Sequence, residues 1–283
     1  MDELTAISRA RKLVGQITSA PIDVYALAGK HGMEVAEREL APGQAGNTLD
    51  LGTKIFIVVN QNDDPARKRF TVLHEMAHHL LELPSKHGEK VPSDELERFR
   101  GRPIEERLCD TFAAECLVPN HLLRPLVVEA RFSIDVLHEL CEHFQASRQC
   151  LASCFVRASR EMLAYVYCEQ GRIQHVITSA ALRQAGIYIQ EGMAPSGSAA
   201  SLADANRSIF ESAELDASDW SSSDAAISYS CYEEACHMPK HGATLSLLTF
   251  ELAASQQTSG RTEALDEDPL LEELTGHLQF KKR

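Results

Sequence analysis

Two histidines four positions apart, with a glutamate directly after the first, stand in His74-Glu75-Met76-Ala77-His78. On a helix, positions i and i+4 lie about one turn apart on the same face, so both imidazoles can grip one cation. Two nitrogen donors need a third ligand if a zinc ion is to keep its fourth position open for water. The helix-compatible segment Ile104 to Val118 offers Glu105, Glu106, Asp110 and Glu115. Glu106 and Asp110 share a helix face, so Glu106 can bind the ion while Asp110 accepts a proton from a ligating histidine and fixes its tautomer. Glu105 is the rival ligand, because one step along a helix turns a side chain by about 100° and only one of the two can face the ion. Glu75 would be the general base, taking a proton from a metal-bound water whose pKa the ion lowers to about 7, and the hydroxide attacks a carbonyl. His₂Glu ligation favours Zn2+, with Mn2+ as the other candidate.

Cys109 follows Glu106 by three positions, near the same helix face. As a thiolate it could fill the fourth position and act as a latch; the other reading is a buried core cysteine. His79 points about 100° away from His78 and reads as a packing or supporting residue. Cys231-x₄-Cys236-His237 lacks a matching downstream pair, so these read as ordinary thiols.

These residues must be held by elements. Leu4 to Ile17 has the spacing of an amphipathic helix, Asp23 to Ala28 reads as a short helix, and Met33 to Ala36 and Ile55 to Val59 read as strands. Pro65 suits a helix start, and the helix from about Ala66 to Leu83 carries Phe70, Leu73, Ala77, Leu80 and Leu81 on an apolar stripe. Pro84 to Pro103 is charged and reads as exposed, and Pro119 ends the next helix. Val136 to Phe144 and Gln149 to Val156 flank Gln145-Ala146-Ser147-Arg148 like a helix-turn-helix. This unit contains Glu139, Glu142, His138 and His143, with Arg148 and Arg157 as its firm cations, too few for strong phosphate neutralisation. It therefore reads as a packing or substrate-docking element. From Met162 the period changes to that of a β-hairpin, with further strands at Ala225 to Cys231 and Ala243 to Leu252. Gly192 to Ser201 and Asp216 to Asp224 read as mobile loops. The class is α+β.

The chain has 283 residues, enough for about two domains. Its 28 Lys plus Arg against 41 Asp plus Glu give a net charge of −13, which argues against a general duplex-coating or membrane-surface protein. No apolar run approaches the roughly 20 residues that span a bilayer, and Met1-Asp2-Glu3-Leu4 lacks a signal-peptide layout, so the expected location is the cytoplasm. There the eight cysteines are expected to be reduced. Arg157, Arg160, Arg172, Arg183 and Arg207 are scattered around the second half, Lys281-Lys282-Arg283 reads as a solvated end, and no glycine loop of the phosphate-cradling kind is present.

Pro21-Ile22-Asp23-Val24, the strand Ile55 to Asn60, Arg69-Phe70-Thr71 with His74-Glu75-x-x-His78, Glu106-x-x-x-Asp110-x-Phe112-Ala113-Ala114 and Leu117-Val118-Pro119 together resemble the ImmA/IrrE family of metallopeptidases. The resemblance covers about Leu4 to Ala158. It implies a zincin-like peptidase domain over 1–132, a helix-turn-helix-like segment over 133–160, a GAF-like α/β sensor domain over 161–255 and a tail over 256–283. It implies zinc ligation by His74, His78 and Glu106, favouring Glu106 over Glu105, with Glu75 as base and Asp110 as supporting residue. It further implies that the substrate is a helix-turn-helix repressor, cut to derepress stress or DNA-damage genes. The two-domain form resembles peptidases of anti-phage cyclic-nucleotide (CBASS) systems, in which single-stranded DNA is the expected activator. Two positions depart from the family pattern: Asp110 stands where Asn is common, and Cys109 where a small residue is common. The rival class is a DNA-binding regulator with a structural metal, which would have no need of Glu75.

Overall fold

Short polar side chains mark where many of the helices begin. Asp2, Asp23, Asp64, Ser133, Ser147, Ser179 and Ser198 each accept from a backbone N–H of the helix they precede, satisfying donors that have no partner inside the helix. The computed structural model describes residues 1–41, 43–52, 54–84, 103–128, 130–239 and 241–253. The charged stretch expected between Pro84 and Pro103, and the tail, lie almost wholly outside the described residues.

The first half opens with α1 (Glu3–Val14) and α2 (Val24–Lys30). β1 (Met33–Arg38) runs parallel to β3 (Ile55–Asn60), and β2 (Gly46–Asp50) pairs antiparallel on the other side of β3. α3 (Pro65–Leu80) packs on this sheet and on α2, and α4 (Ile104–Leu117) packs on α3 and α1. Squeezed from several sides, α3 is buried continuously from Thr71 to His78, well beyond one stripe. α5 (Asn120–Val127) leads into α6 (Ile134–Phe144) and α7 (Arg148–Ala158), the expected helix-turn-helix. Its turn is made by Gln145 at φ 51°, whose N–H returns to the Cys141 carbonyl.

The second half is a five-stranded sheet, β4 (Leu163–Glu169), β5 (Arg172–Thr178), β6 (Glu211–Asp216), β7 (Tyr229–Met238) and β8 (Ala243–Leu252), in the order β5-β4-β8-β7-β6 with every pair antiparallel. Short helices α8 (Ala180–Gln184), α9 (Ala199–Asn206) and α10 (Ala217–Trp220) accompany it. Three expectations need correction here. The segment Gly192 to Ser201 runs into α9 with Ser198, Ala199 and Ala200 buried, and Asp216 to Asp224 contains α10 with Trp220 buried. Small residues in these segments serve close packing against the sheet. Asp224–Ser228 is a 3₁₀ turn, so the strand expected from Ala225 starts at Tyr229.

Side chains alternate across this sheet. One face carries Ala164, Val166, Ala235 and Leu248 into a core with α9 and α10. The other carries Tyr165, Cys236, Leu245 and Leu247 into the same core as α3, α4, α6 and α7. Two consecutive glutamates on β7 divide between these faces. Glu233 accepts from the Ala199 and Ala200 amides at the start of α9 (2.9 and 2.8 Å) and from the Ser246 hydroxyl at 2.7 Å. Glu234 accepts from the Ile134 amide at the start of α6 at 2.8 Å.

Candidate metal centre

α3 and α4 bring three expected residues together. One ligand atom each from His74, His78 and Glu106 lies within 4.8 Å of the other two, and all three residues are buried. His74 Nε2 is 3.2 Å from His78 Nε2 and 3.2 Å from Glu106 Oε2, and His78 Nε2 is 3.4 Å from Glu106 Oε1. Of the two rival glutamates, Glu106 turns inward and Glu105 is only half-buried.

The outer nitrogens of the two rings are also engaged. His74 Nδ1 lies 2.9 Å from Asp110 Oδ1, and His78 Nδ1 lies 3.3 Å from the Leu83 carbonyl. Both partners accept, so each Nδ1 carries a proton, and in the neutral form of each ring that metal binding requires, the Nε2 lone pair is directed at the common point. For His74, burial alone would lower the pKa, but the hydrogen bonds with Asp110 and Glu106 outweigh it and push the pKa up to about 9. The carboxylates around His74 thus favour the charged form of that ring.

Glu75, the expected base, is 1% exposed, and its Oε2 accepts a hydrogen bond from the Thr48 hydroxyl at 2.8 Å. Thr48 has no signal in the sequence, since it is distant along the chain and sits on a strand of turn-like composition. Cys109 is fully buried in the hydrophobic core and is not one of the three clustered residues. His79 is exposed, which corrects the expectation that it packs: the next step round α3 faces solvent. Cys231 and Cys236 lie five apart on β7, hence on opposite faces of the sheet. None of the eight cysteines is in a disulfide.

The family model of the IrrE N-terminal-like domain, peptidase M78, matches residues 28–153. The chain carries a domain of the ImmA/IrrE family. The match runs from the last turn of α2 to the middle of α7 and contains every residue of the cluster. This is a family of metallopeptidases, as the resemblance implied. No curated protein matches the chain. Among solved structures, a Mycobacterium tuberculosis transcriptional regulator is similar at 13% identity, over 87% of this chain and 76% of that chain, with a TM-score of 0.57. At that identity the likeness is one of fold, and it extends across both sheets. No helix among the described residues is long and apolar enough to cross a membrane.

A tetrahedral ion with bonds of about 2.0–2.1 Å separates its ligand atoms by about 3.3–3.4 Å. The two histidine nitrogens lie 3.2 Å apart, and each has a different oxygen of the Glu106 carboxylate at 3.2 or 3.4 Å, so the IrrE-like domain holds a donor set whose spacing is compatible with such an ion.

Proposed function

We propose that the chain is a zinc endopeptidase that cuts a helix-turn-helix repressor and so derepresses stress, DNA-damage or phage-defence genes. The observation that carries this reading is the buried His74, His78 and Glu106 cluster with Glu75 on the intervening turn of α3. A bound Zn2+ would supply Lewis acidity, polarising a peptide carbonyl and making a water acidic enough to ionise near pH 7. Glu75 takes the proton from the attacking water and returns it to the leaving amine. Asp110 and the Leu83 carbonyl keep both imidazoles in the tautomer that presents Nε2.

An extended substrate has a template at β2, an edge strand of the sheet β1-β3-β2 and the one that contacts Glu75. Asn60 donates to Ala45 and Leu51 to Lys54, so these positions of the β2 side face β3. Gly46, Thr48 and Asp50 alternate with them and turn their backbone groups the other way, as pairing with an internal stretch of polypeptide requires.

Direct DNA reading by the helix-turn-helix has less support. A recognition helix needs an open face, and on α7 only Gln149 and Arg157 are exposed. The second sheet serves, in this reading, as a GAF-like sensor whose ligand, single-stranded DNA for example, raises cleavage.

The test is mass spectrometry of the repressor encoded beside this chain's gene, after incubation with the zinc-loaded protein and single-stranded DNA. One internal cut is expected with the wild type. Glu75→Gln should keep its zinc and lose about 10²-fold or more in rate; full activity in that variant rejects the mechanism.

A further inference from the structure

We propose that Thr48 is a positioning residue for the general base: its hydroxyl fixes the Glu75 carboxylate in its working orientation. This rests on the reading of Glu75 as base. The donor is 2.8 Å from Glu75 Oε2, inside a shell where the carboxylate is 1% exposed. Threonine is branched at Cβ and stiff about χ1, so the donor is set by the strand and does not wander.

The approach of β2 to α3 is specific. A Cβ at Gly46 would lie 2.5 Å from the Thr71 methyl, 2.9 Å from the Val58 carbonyl oxygen and 3.6 Å from Glu75 Cγ. The Val58 oxygen belongs to the neighbouring strand and cannot swing aside. Glycine at 46 therefore lets β2 come close enough for the residue two places later, on the same face, to reach the base. Folding does not demand the hydroxyl itself. Valine has nearly the same volume and equal or better strand propensity, so packing alone would be served by it. What valine lacks is a donor for the buried carboxylate. The strand that would template the substrate also holds the base, so the scissile bond and the proton acceptor share one rigid support. A contact of this kind acts on the transition state more than on the bound substrate, and so moves kcat more than KM.

The experiment compares the zinc-loaded full chain as wild type, Thr48→Val and Thr48→Ser. Zinc content, cleavage kinetics on the neighbouring repressor and calorimetric affinity for acetohydroxamate are measured on each. The probe is added as neutral acetohydroxamic acid, whose anion chelates zinc through two oxygens once its hydroxyl proton has passed to the adjacent base, so it reads the orientation of Glu75 without a peptide substrate. Thr48→Val should keep its zinc, lose about 10- to 100-fold in kcat with KM within about twofold, and bind acetohydroxamate about tenfold more weakly. Thr48→Ser, which restores a donor, should recover most of both losses. Wild-type kcat and hydroxamate affinity in Thr48→Val, equal losses in both variants, or loss of zinc in Thr48→Val would each overturn the proposal. A wild type that binds acetohydroxamate yet leaves the repressor intact counts against the substrate, with the role of Thr48 still read from the hydroxamate series. A wild type that does neither rejects the peptidase reading and this proposal together.

Discussion

Asp110 illustrates how much of the centre depends on residues that touch no metal. It meets His74 on the side of the ring away from the cluster, at 2.9 Å, and so settles which nitrogen is left to bind. Asp110→Ala is expected to weaken zinc binding by about 10- to 100-fold, measured by competition against a calibrated chelator. An unchanged affinity would mean that the ring is oriented by its packing alone. His74, Glu75 and His78 are legible in the sequence because helical spacing is a local property. Glu106 and Asp110 are legible as a second helical pair, although spacing alone left Glu105 in contention. Thr48 and the Leu83 carbonyl are not legible: one acts across a strand-to-helix contact, and the other is a backbone oxygen whose direction no side chain encodes.

Among the elements, helices with a clear apolar period were readable and those held by their neighbours were not. β2, Gly46-Asn47-Thr48-Leu49-Asp50, has the composition of a turn and becomes a strand because β3 offers it a ladder. α10 and the 3₁₀ turn after it are too short for a period to show. Arg69 shows how the elements are tied. From the middle of α3 it donates through Nη2 to the Ile22 carbonyl at 2.8 Å and through Nε to the Gln145 carbonyl at 3.2 Å, joining the metal helix to the helix-turn-helix turn. Arg69 is 8% exposed, so neither carbonyl has easy recourse to water. Arg69→Met keeps the stem and removes both donors. It should cost about 3 kcal/mol, the penalty for leaving buried acceptors without a charged donor, read as a lower urea midpoint. A variant within about 0.5 kcal/mol of wild type would show that water replaces the guanidinium.

At the scale of the molecule, the period change at Met162 marks a change of architecture without a break in the interior. Leu163, Tyr165, Leu245 and Leu247 of the second sheet belong to the same buried cluster as Leu151 and Phe155 of α7 and Leu73 of α3. The two halves should therefore unfold together. Calorimetry is expected to show a single transition that coincides with loss of near-ultraviolet ellipticity, and two resolved transitions would refute the shared core. This continuity was not legible, because apolar residues on a strand announce that a face is covered and say nothing of what covers it. The sensor likeness, too, comes from family resemblance and has no counterpart in composition.

β7 is cut like a key with teeth on both edges. Glu233 engages one helix above the sheet while Glu234 engages another below it. A slip of one residue would present each carboxylate to the wrong layer and bury a charge among apolar side chains. A slip of two would restore the faces but carry both groups about 6.6 Å past their amides. The strand has a single setting at which both layers accept it, so any rearrangement between the two halves must move β7 as a whole.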